Sequence, residues 1–260
     1  MRSTKIFPLQ FTKVFTIGTK KLQFIEEKKR TAIGGRIWPA AELFVRFLER
    51  EAKTLVKNRR ILELGSGCGF TGICCAVLGA KSVILSEMLI DQHYTFDDDG
   101  VPQEKVLCPN RNILLDLCQQ NVDSNSSSID AAACLVSVEE LTWGQENVKR
   151  TQELLSKYND IDLIVGSELT VNKEASIALF WTVAYILRRH RNQKSKFIII
   201  HQNRCNNLVE HLGYAELQGL SYRQLHFTDD PGESTGNTCA AAANTSQSLW
   251  EFSYNPSSPI

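Results

Sequence analysis

Apolar and polar positions alternate through KVFTIGTKKLQFIEE (13–27) on either side of Gly18, which predicts two short strands joined as a hairpin ahead of the main body, an added edge or flap. The period then changes. In WPAAELFVRFLEREA (38–52) Ala41, Leu43, Phe44, Phe47 and Leu48 recur at helical spacing, with Pro39 acceptable in the first turn. RRILELGSG (59–67) is a continuous apolar run closed by glycines, FTGICCAVLGA (70–80) a helix ended at Gly79, and KSVILSE (81–87) a second buried run. Strand, helix and strand in this order form a βαβ unit, whose crossover is right-handed.

The alternation continues with helices at 111–122, 147–158 and 174–190 and strands at 132–138, 161–169 and 196–204. Five apolar strands separated by helices predict an open parallel sheet covered on both faces. SYRQLHFT (221–228) and LWEFSYN (249–255) are strand-like and joined by a loose loop, so the tail is antiparallel. DQHYTFDDDGVPQEK (91–105) reads as a surface insertion without regular structure and DSNSSSID (123–130) as a flexible connector. The DDDG within the insertion lacks the carboxylate at Thr95 and the later Glu that a calcium loop needs. One domain over 1–260 accounts for the pattern: a hairpin extension (1–35), a parallel α/β core (36–205) and an antiparallel C-terminal part (206–260).

Composition narrows the partners. Lys plus Arg and Asp plus Glu are both 29, so no net field draws the chain to nucleic acid or to an anionic membrane. The N-terminal stretch lacks the apolar core of a secretory signal, and IALFWTVAYIL (177–187) is too short to span a bilayer. The eight cysteines contain no C-x-x-C pair and sit mostly in apolar segments as small hydrophobes, which fits a reducing compartment. The five histidines show no i, i+4 ligand pair, so no metal is expected. The expected setting is the cytoplasm, with the nucleus as a second compartment.

The chemistry gathers at ILELGSGCGFTG (61–72), which has two readings. From Gly67 it satisfies G-x-G-x-x-G with Glu87 at the distance of a ribose-binding acid, the dinucleotide pattern. From Gly65 it is E-L-G-S-G-C-G, with Glu63 two residues before the first glycine. A carboxylate there repels a pyrophosphate, whereas S-adenosylmethionine has no phosphate and carries a sulfonium and an ammonium. Glu63, Glu87 and Glu168 each close a predicted strand, and in an open parallel sheet ligands lie at those ends. The expectation is a negative mouth for a cationic cofactor and substrate, against the alternative that each acid caps the following helix.

With GGRIWPAAELFVRFLE (34–49), ILELGSGCGFTGICCAVLGAKSVILSE (61–87), LDLCQQNVDSN (115–125), LTWG (141–144) and DLIVGSEL (162–169) in order, the chain resembles the seven-β-strand S-adenosylmethionine-dependent methyltransferases. Within them it is similar to the lysine protein methyltransferases of methyltransferase family 16, over about residues 14–254. The resemblance implies a Rossmann-like, open, mostly parallel seven-stranded sheet with an antiparallel C-terminal hairpin and an N-terminal β-hairpin extension. It implies S-adenosyl-L-methionine as cofactor and a protein substrate; with the balanced charge already excluding nucleic acid and membrane partners, a monomer is expected. It also assigns roles. Trp38 lies beside the cofactor, and Gly65, Ser66 and Gly67 let the backbone approach it. Glu63 faces the methionine amine, Glu87 takes both ribose hydroxyls, Trp143 flanks the adenine, and Ser167 lines the pocket. Asn121 matches a helix asparagine of the family, or is a buried helix-capping amide. Where the family has D-x-x-Y, this chain has Glu168, Leu169, Thr170 and Val171. Glu168 is the candidate that orients the substrate amine. His201 is a strand-end residue near the same edge, and Arg204 is able to pair with an acid at the mouth or on a substrate. The missing tyrosine leaves open a different side chain, a small amine, or a non-catalytic nucleoside-binding protein that holds a partner with loops 91–110 and 228–248.

Overall fold

The structure is a computed structural model that describes residues 10–27, 34–88, 92–96, 102–107, 112–130, 133–158, 160–189, 195–202, 208–226 and 247–255. Gln10–Ile17 (β1) and Lys20–Glu27 (β2) form an antiparallel hairpin that turns at Gly18, φ 53°. This hairpin is a two-stranded sheet of its own and not an added edge of the main sheet. Pro39–Arg50 (α1) follows, buries Phe44, Val45 and Leu48, and runs into a π-helical turn at Ala52–Val56. The βαβ unit consists of Arg60–Leu64 (β3), Phe70–Val77 (α2) and Ser82–Glu87 (β4).

The insertion expected to lack regular structure instead forms a second small antiparallel pair, Gln92–Phe96 (β5) and Pro102–Leu107 (β6). His-Tyr-Thr-Phe has the β-branched and aromatic character of a strand, which outweighs the polarity of its surroundings. The core then continues through Ile113–Ser124 (α3), Leu135–Glu140 (β7), Val148–Lys157 (α4), Leu163–Ser167 (β8), Lys173–Arg189 (α5) and Lys196–Gln202 (β9). A helix absent from the sequence reading, Leu208–Leu217 (α6), precedes Leu220–Leu225 (β10) and Gln247–Tyr254 (β11). The expected flexible connector at 123–130 is instead the end of α3 and a 3-10 turn at Ser126–Ser128, where Lys20 Nζ donates to the Ser128 carbonyl at 2.7 Å.

The main sheet has the order β10-β11-β9-β8-β3-β4-β7, parallel from β9 to β7 and antiparallel at β11 and β10. Successive strand residues point to opposite faces. Ile61, Val83, Val165, Ile198 and Ile200 therefore pack on one side with α1, α2 and α3 residues such as Phe44, Ile73 and Leu117. Leu62, Leu64, Ile84, Ile164, Phe197 and Ile199 pack on the other with Leu154, Phe180, Val183 and Leu212. At the amino ends of β3 and β8, Arg60 grips Asp162 through Nε at 3.0 Å and Nη2 at 2.9 Å, fixing the register of the two strands. Between these same strands the connections reverse direction, β3 leading toward β4 and β7, and β8 toward β9. The crevice of a doubly wound sheet opens at the carboxyl ends of such a pair.

The hairpin is tied to this crevice. Phe15 and Phe24 meet Phe70, the first residue of α2, edge-on at centroid distances of 4.9 and 5.0 Å. Asn121 accepts from Ile25 N–H at 2.7 Å and donates to Ile25 O at 3.0 Å, and Asn125 accepts from Gln23 N–H at 2.9 Å and donates to Gln23 O at 2.7 Å. Four residues of helix rise about 6 Å and two residues of strand about 6.7 Å. The two amides therefore match one edge of β2 and complete it as a neighbouring strand would.

Candidate active site

The turn after β3 is built from glycines for reasons of space. Gly67 has φ 54°, and a Cβ there would stand 2.4 Å from the carbonyl oxygen of Gly34. The loop from Gly34 to Trp38 thus lies directly on the turn, held by Glu27 N–H to Gly35 O at 2.8 Å and Ile37 N–H to Glu26 Oε1 at 2.7 Å. Ser66 is buried; its hydroxyl and its N–H both donate to Ser86 O, at 3.2 and 2.9 Å, and its carbonyl accepts from Gly69 N–H at 2.7 Å, which fixes the shape of the turn. Asn121 also donates to Cys68 O at 2.9 Å. It is therefore neither a helix cap nor free to meet a ligand; it ties the hairpin to the glycine turn.

Glu87, at the end of β4, accepts from Gly67 N–H at 2.7 Å through one oxygen and from Met88 N–H at 2.9 Å through the other. Each oxygen keeps further accepting capacity. Burial raises its pKa above the ordinary carboxylate value, opposed by those two N–H groups.

Glu63 is turned elsewhere. Its carboxylate lies under the turn and accepts from Gly72 N–H, in the first turn of α2, at 2.9 Å. The carboxyl group thus takes one of the helix N-terminal N–H groups that a pyrophosphate would need. Desolvation, with a smaller push from Glu87, raises its pKa to about 8. The fold consequently favours the protonated acid. The stability this contributes is complete below the ordinary value of 4.5 and is lost as pH rises through about 8. Thermal unfolding of the wild type is expected to shift downward across that window, while Glu63→Gln, which cannot ionise, stays flat by comparison. Parallel slopes for the two proteins would refute this.

Glu168 takes a third course. It has φ 60°, donates its N–H to Ile200 O at 3.0 Å, and accepts from Gln202 N–H through Oε1 at 2.7 Å. Thr170 Oγ1 and His201 Nδ1 lie 2.6 Å apart, a second tie between this loop and β9. The three strand-end acids make their hydrogen bonds to three different elements. Glu63 and Glu87 are electrostatic neighbours, whereas Glu168 is held to β9.

On the other side of the turn, a Cβ on Gly65 would stand 2.6 Å from Leu169 Cδ2 and 3.3 Å from Trp143 Cζ2. Trp143 Nε1 and Ser167 Oγ are buried and have no hydrogen-bond partner. Orphaned donors beside a glycine turn are a polar demand that a ligand with acceptor atoms meets. Trp38 is the N-cap of α1, with Arg36 stacked 4.5 Å from the centre of its ring. Leu169, Asn125 and Gly34 belong to the site's framework and were not singled out from sequence; Asn125 alone had a visible signal, its spacing of four from Asn121. Arg204 and residues 228–246 lie outside the described residues. Among the described residues no cluster of three or more His, Cys, Asp or Glu side chains could hold a metal ion, and no helix is long and apolar enough to cross a membrane.

A parallel sheet that reverses at β3 and β8, with a glycine turn bonded to an acid at the end of the next strand, defines a Rossmann-like protein of the methyltransferase type. A T. thermophilus 16S rRNA methyltransferase solved with AdoMet and guanosine has the same fold, at TM-score 0.56 and 14% identity over 95% of this chain and 51% of that one. So does a SAM-dependent methyltransferase from Agrobacterium tumefaciens, at TM-score 0.54 and 9% identity over 97% of this chain and 72% of that one. The chain belongs to the lysine methyltransferase family, whose pattern it matches over residues 18–216. It is similar to a protein N-lysine methyltransferase of Danio rerio, 28% identical over 172 residues, 66% of this chain and 64% of that protein. It is also similar to a calmodulin-lysine N-methyltransferase of Arabidopsis thaliana, 26% identical over 161 residues, 62% of this chain and 43% of that protein. The chain thus matches about two thirds or less of the length of these relatives.

Proposed function

We propose that the protein is an S-adenosyl-L-methionine-dependent methyltransferase acting on a lysine side chain of a protein substrate. The observation that carries the reading is the Glu87 carboxylate bonded to Gly67 N–H, a bidentate acceptor set beside a turn that leaves no room for side chains. Membership of the lysine methyltransferase family supports it, as does the naming of the similar proteins as lysine methyltransferases.

In this reading Glu87 takes the two ribose hydroxyls, Gly65, Ser66 and Gly67 let the cofactor approach the turn closely, and Trp143 and Ser167 supply the donors left unpaired inside the crevice. Trp38 walls the methionine end. Glu63 acts from beneath, as the acid that fixes α2 against the turn. The cofactor, when bound, supplies a methyl group on a sulfonium sulfur. The chain's task is to align the incoming amine with that methyl and to exclude water. A lysine reacts only as the neutral amine, so its proton leaves for solvent. Glu168 steers the amine and stabilises the cation formed on methylation. Five free, buried cysteines support a reducing compartment, the cytoplasm or nucleus, and the reading takes the protein as a monomer.

Incubation with labelled S-adenosylmethionine and a whole-cell lysate is expected to mark a protein at lysine, read by mass spectrometry. Glu168→Ala is expected to lower kcat/KM by about 10- to 100-fold, the scale of one charge-assisted contact, with cofactor affinity unchanged. Absence of labelling by a wild type that binds the cofactor would overturn the catalytic reading. Val171, 57% exposed, stands where the family has its tyrosine and favours a second reading, in which the acceptor is another side chain or a small amine. The same spectra distinguish the two.

A further inference from the structure

Resting on the cofactor assignment above, we propose that Arg36 is the cation that binds the α-carboxylate of S-adenosylmethionine. The cofactor has three polar regions: a ribose diol, which Glu87 suits; an ammonium, which suits an anionic surrounding; and a carboxylate, which none of the acids of this crevice can accept. The charge that the carboxylate requires is found on the loop that covers the turn.

Arg36 lies between Gly35, whose carbonyl accepts from Glu27 N–H at 2.8 Å, and Ile37, whose N–H donates to Glu26 Oε1 at 2.7 Å. Ile37 is 5% exposed, with its side chain in the core. In extended backbone, alternate residues project to the same side. Trp38 is extended, φ −85° and ψ 149°, and the Arg36 guanidinium stacks 4.5 Å from its ring centre. Arg36 and Trp38 therefore form one surface opposite Ile37, on a loop whose Gly34 carbonyl presses on Gly67. Arg36 is exposed and, among the described residues, makes no salt bridge, unlike Arg46, Arg60, Arg150 and Arg223. A planar guanidinium resting on an indole, with its edge donors uncommitted, is pre-organised for a carboxylate. The charge also confers selectivity: adenosine and other nucleosides without the amino-acid tail gain nothing from it.

The test is calorimetric titration of wild type and Arg36→Ala with two ligands. One is S-adenosylhomocysteine; the other is S-adenosyl-3-thiopropylamine, which keeps the amine and thioether but lacks the carboxylate. Arg36→Ala is expected to weaken S-adenosylhomocysteine by about 10- to 100-fold, the scale of a charge-assisted bidentate contact, and to leave the decarboxylated ligand unchanged within about twofold. Arg36→Lys recovers part of the loss. Equal weakening of both ligands would assign Arg36 to loop structure, and an unchanged S-adenosylhomocysteine affinity with a raised KM for the protein substrate would assign it to an acidic group on that substrate. Either outcome overturns the proposal while the cofactor assignment stands. A wild type that binds neither ligand overturns both.

Discussion

Glu87→Ala is expected to weaken S-adenosylhomocysteine binding by at least about 100-fold and to abolish methyl transfer at ordinary cofactor concentrations. The size follows from two hydrogen bonds to an ionised acceptor, each about 1.5–3 kcal/mol, where 1.4 kcal/mol is a factor of ten. Part of the loss is indirect. The carboxylate also holds Gly67 N–H at 2.7 Å, so its removal frees the segment of turn that lies under the Gly34 carbonyl. Glu87→Gln separates the contributions, since the amide still accepts one N–H but offers a single acceptor oxygen; it should retain the turn and lose most of the affinity. Calorimetry with NAD as the control ligand decides the matter. Unchanged affinity in both variants would remove Glu87 from the site, and preferential binding of NAD would overturn the cofactor assignment.

Asn121→Leu should produce the larger effect on stability, a loss of about 3–5 kcal/mol in urea unfolding. The side chain is fully buried and satisfies three backbone groups at once: Ile25 N–H, Ile25 O and Cys68 O. Leaving a buried polar group without a partner costs about 1–3 kcal/mol each, and relaxation keeps the total below the simple sum. Because two of those groups belong to the hairpin and one to the glycine turn, affinity for S-adenosylhomocysteine should fall as well. A loss under about 1 kcal/mol would mean that another group satisfies them.

The parts of this fold that depend on local pattern were readable in advance. The runs ILEL, VILS, LIVG and FIII predict buried parallel strands because a sheet covered on both faces demands apolar residues at every position. Gly65 and Gly67 announce the turn because their conformations, φ 60° and 54°, exclude other residues cheaply. Helix α6 escaped because Gly213 interrupts a ten-residue stretch with little periodicity, and β5 and β6 because polar residues mask a strand's alternation.

The acids are the more instructive case. Spacing puts Glu63, Glu87 and Glu168 at three strand ends, but spacing says nothing about where a flexible side chain turns. Glu63 turns to α2, Glu87 to the glycine turn and Glu168 to β9. The three acids thus differ in their partners: one bonds a helix N-terminus, one the glycine turn and one the backbone of β9. For Glu63 the helix-capping alternative describes the observed geometry. The partners of Asn121 and Asn125 were invisible for a related reason: Ile25 and Gln23 are 96 and 102 residues away in the chain.

The order of strands carries a consequence for synthesis. β11 lies between β9 and β10, so β10 cannot join the sheet until β11 has emerged. Until then a ribosome-bound chain presents the β9 backbone, with Ile198, Ile199 and Ile200, as a bare template for any passing strand. Translation that stalls before position 247 therefore yields a product lacking its own means of closing that edge, and one that depends on chaperones to stay out of aggregates.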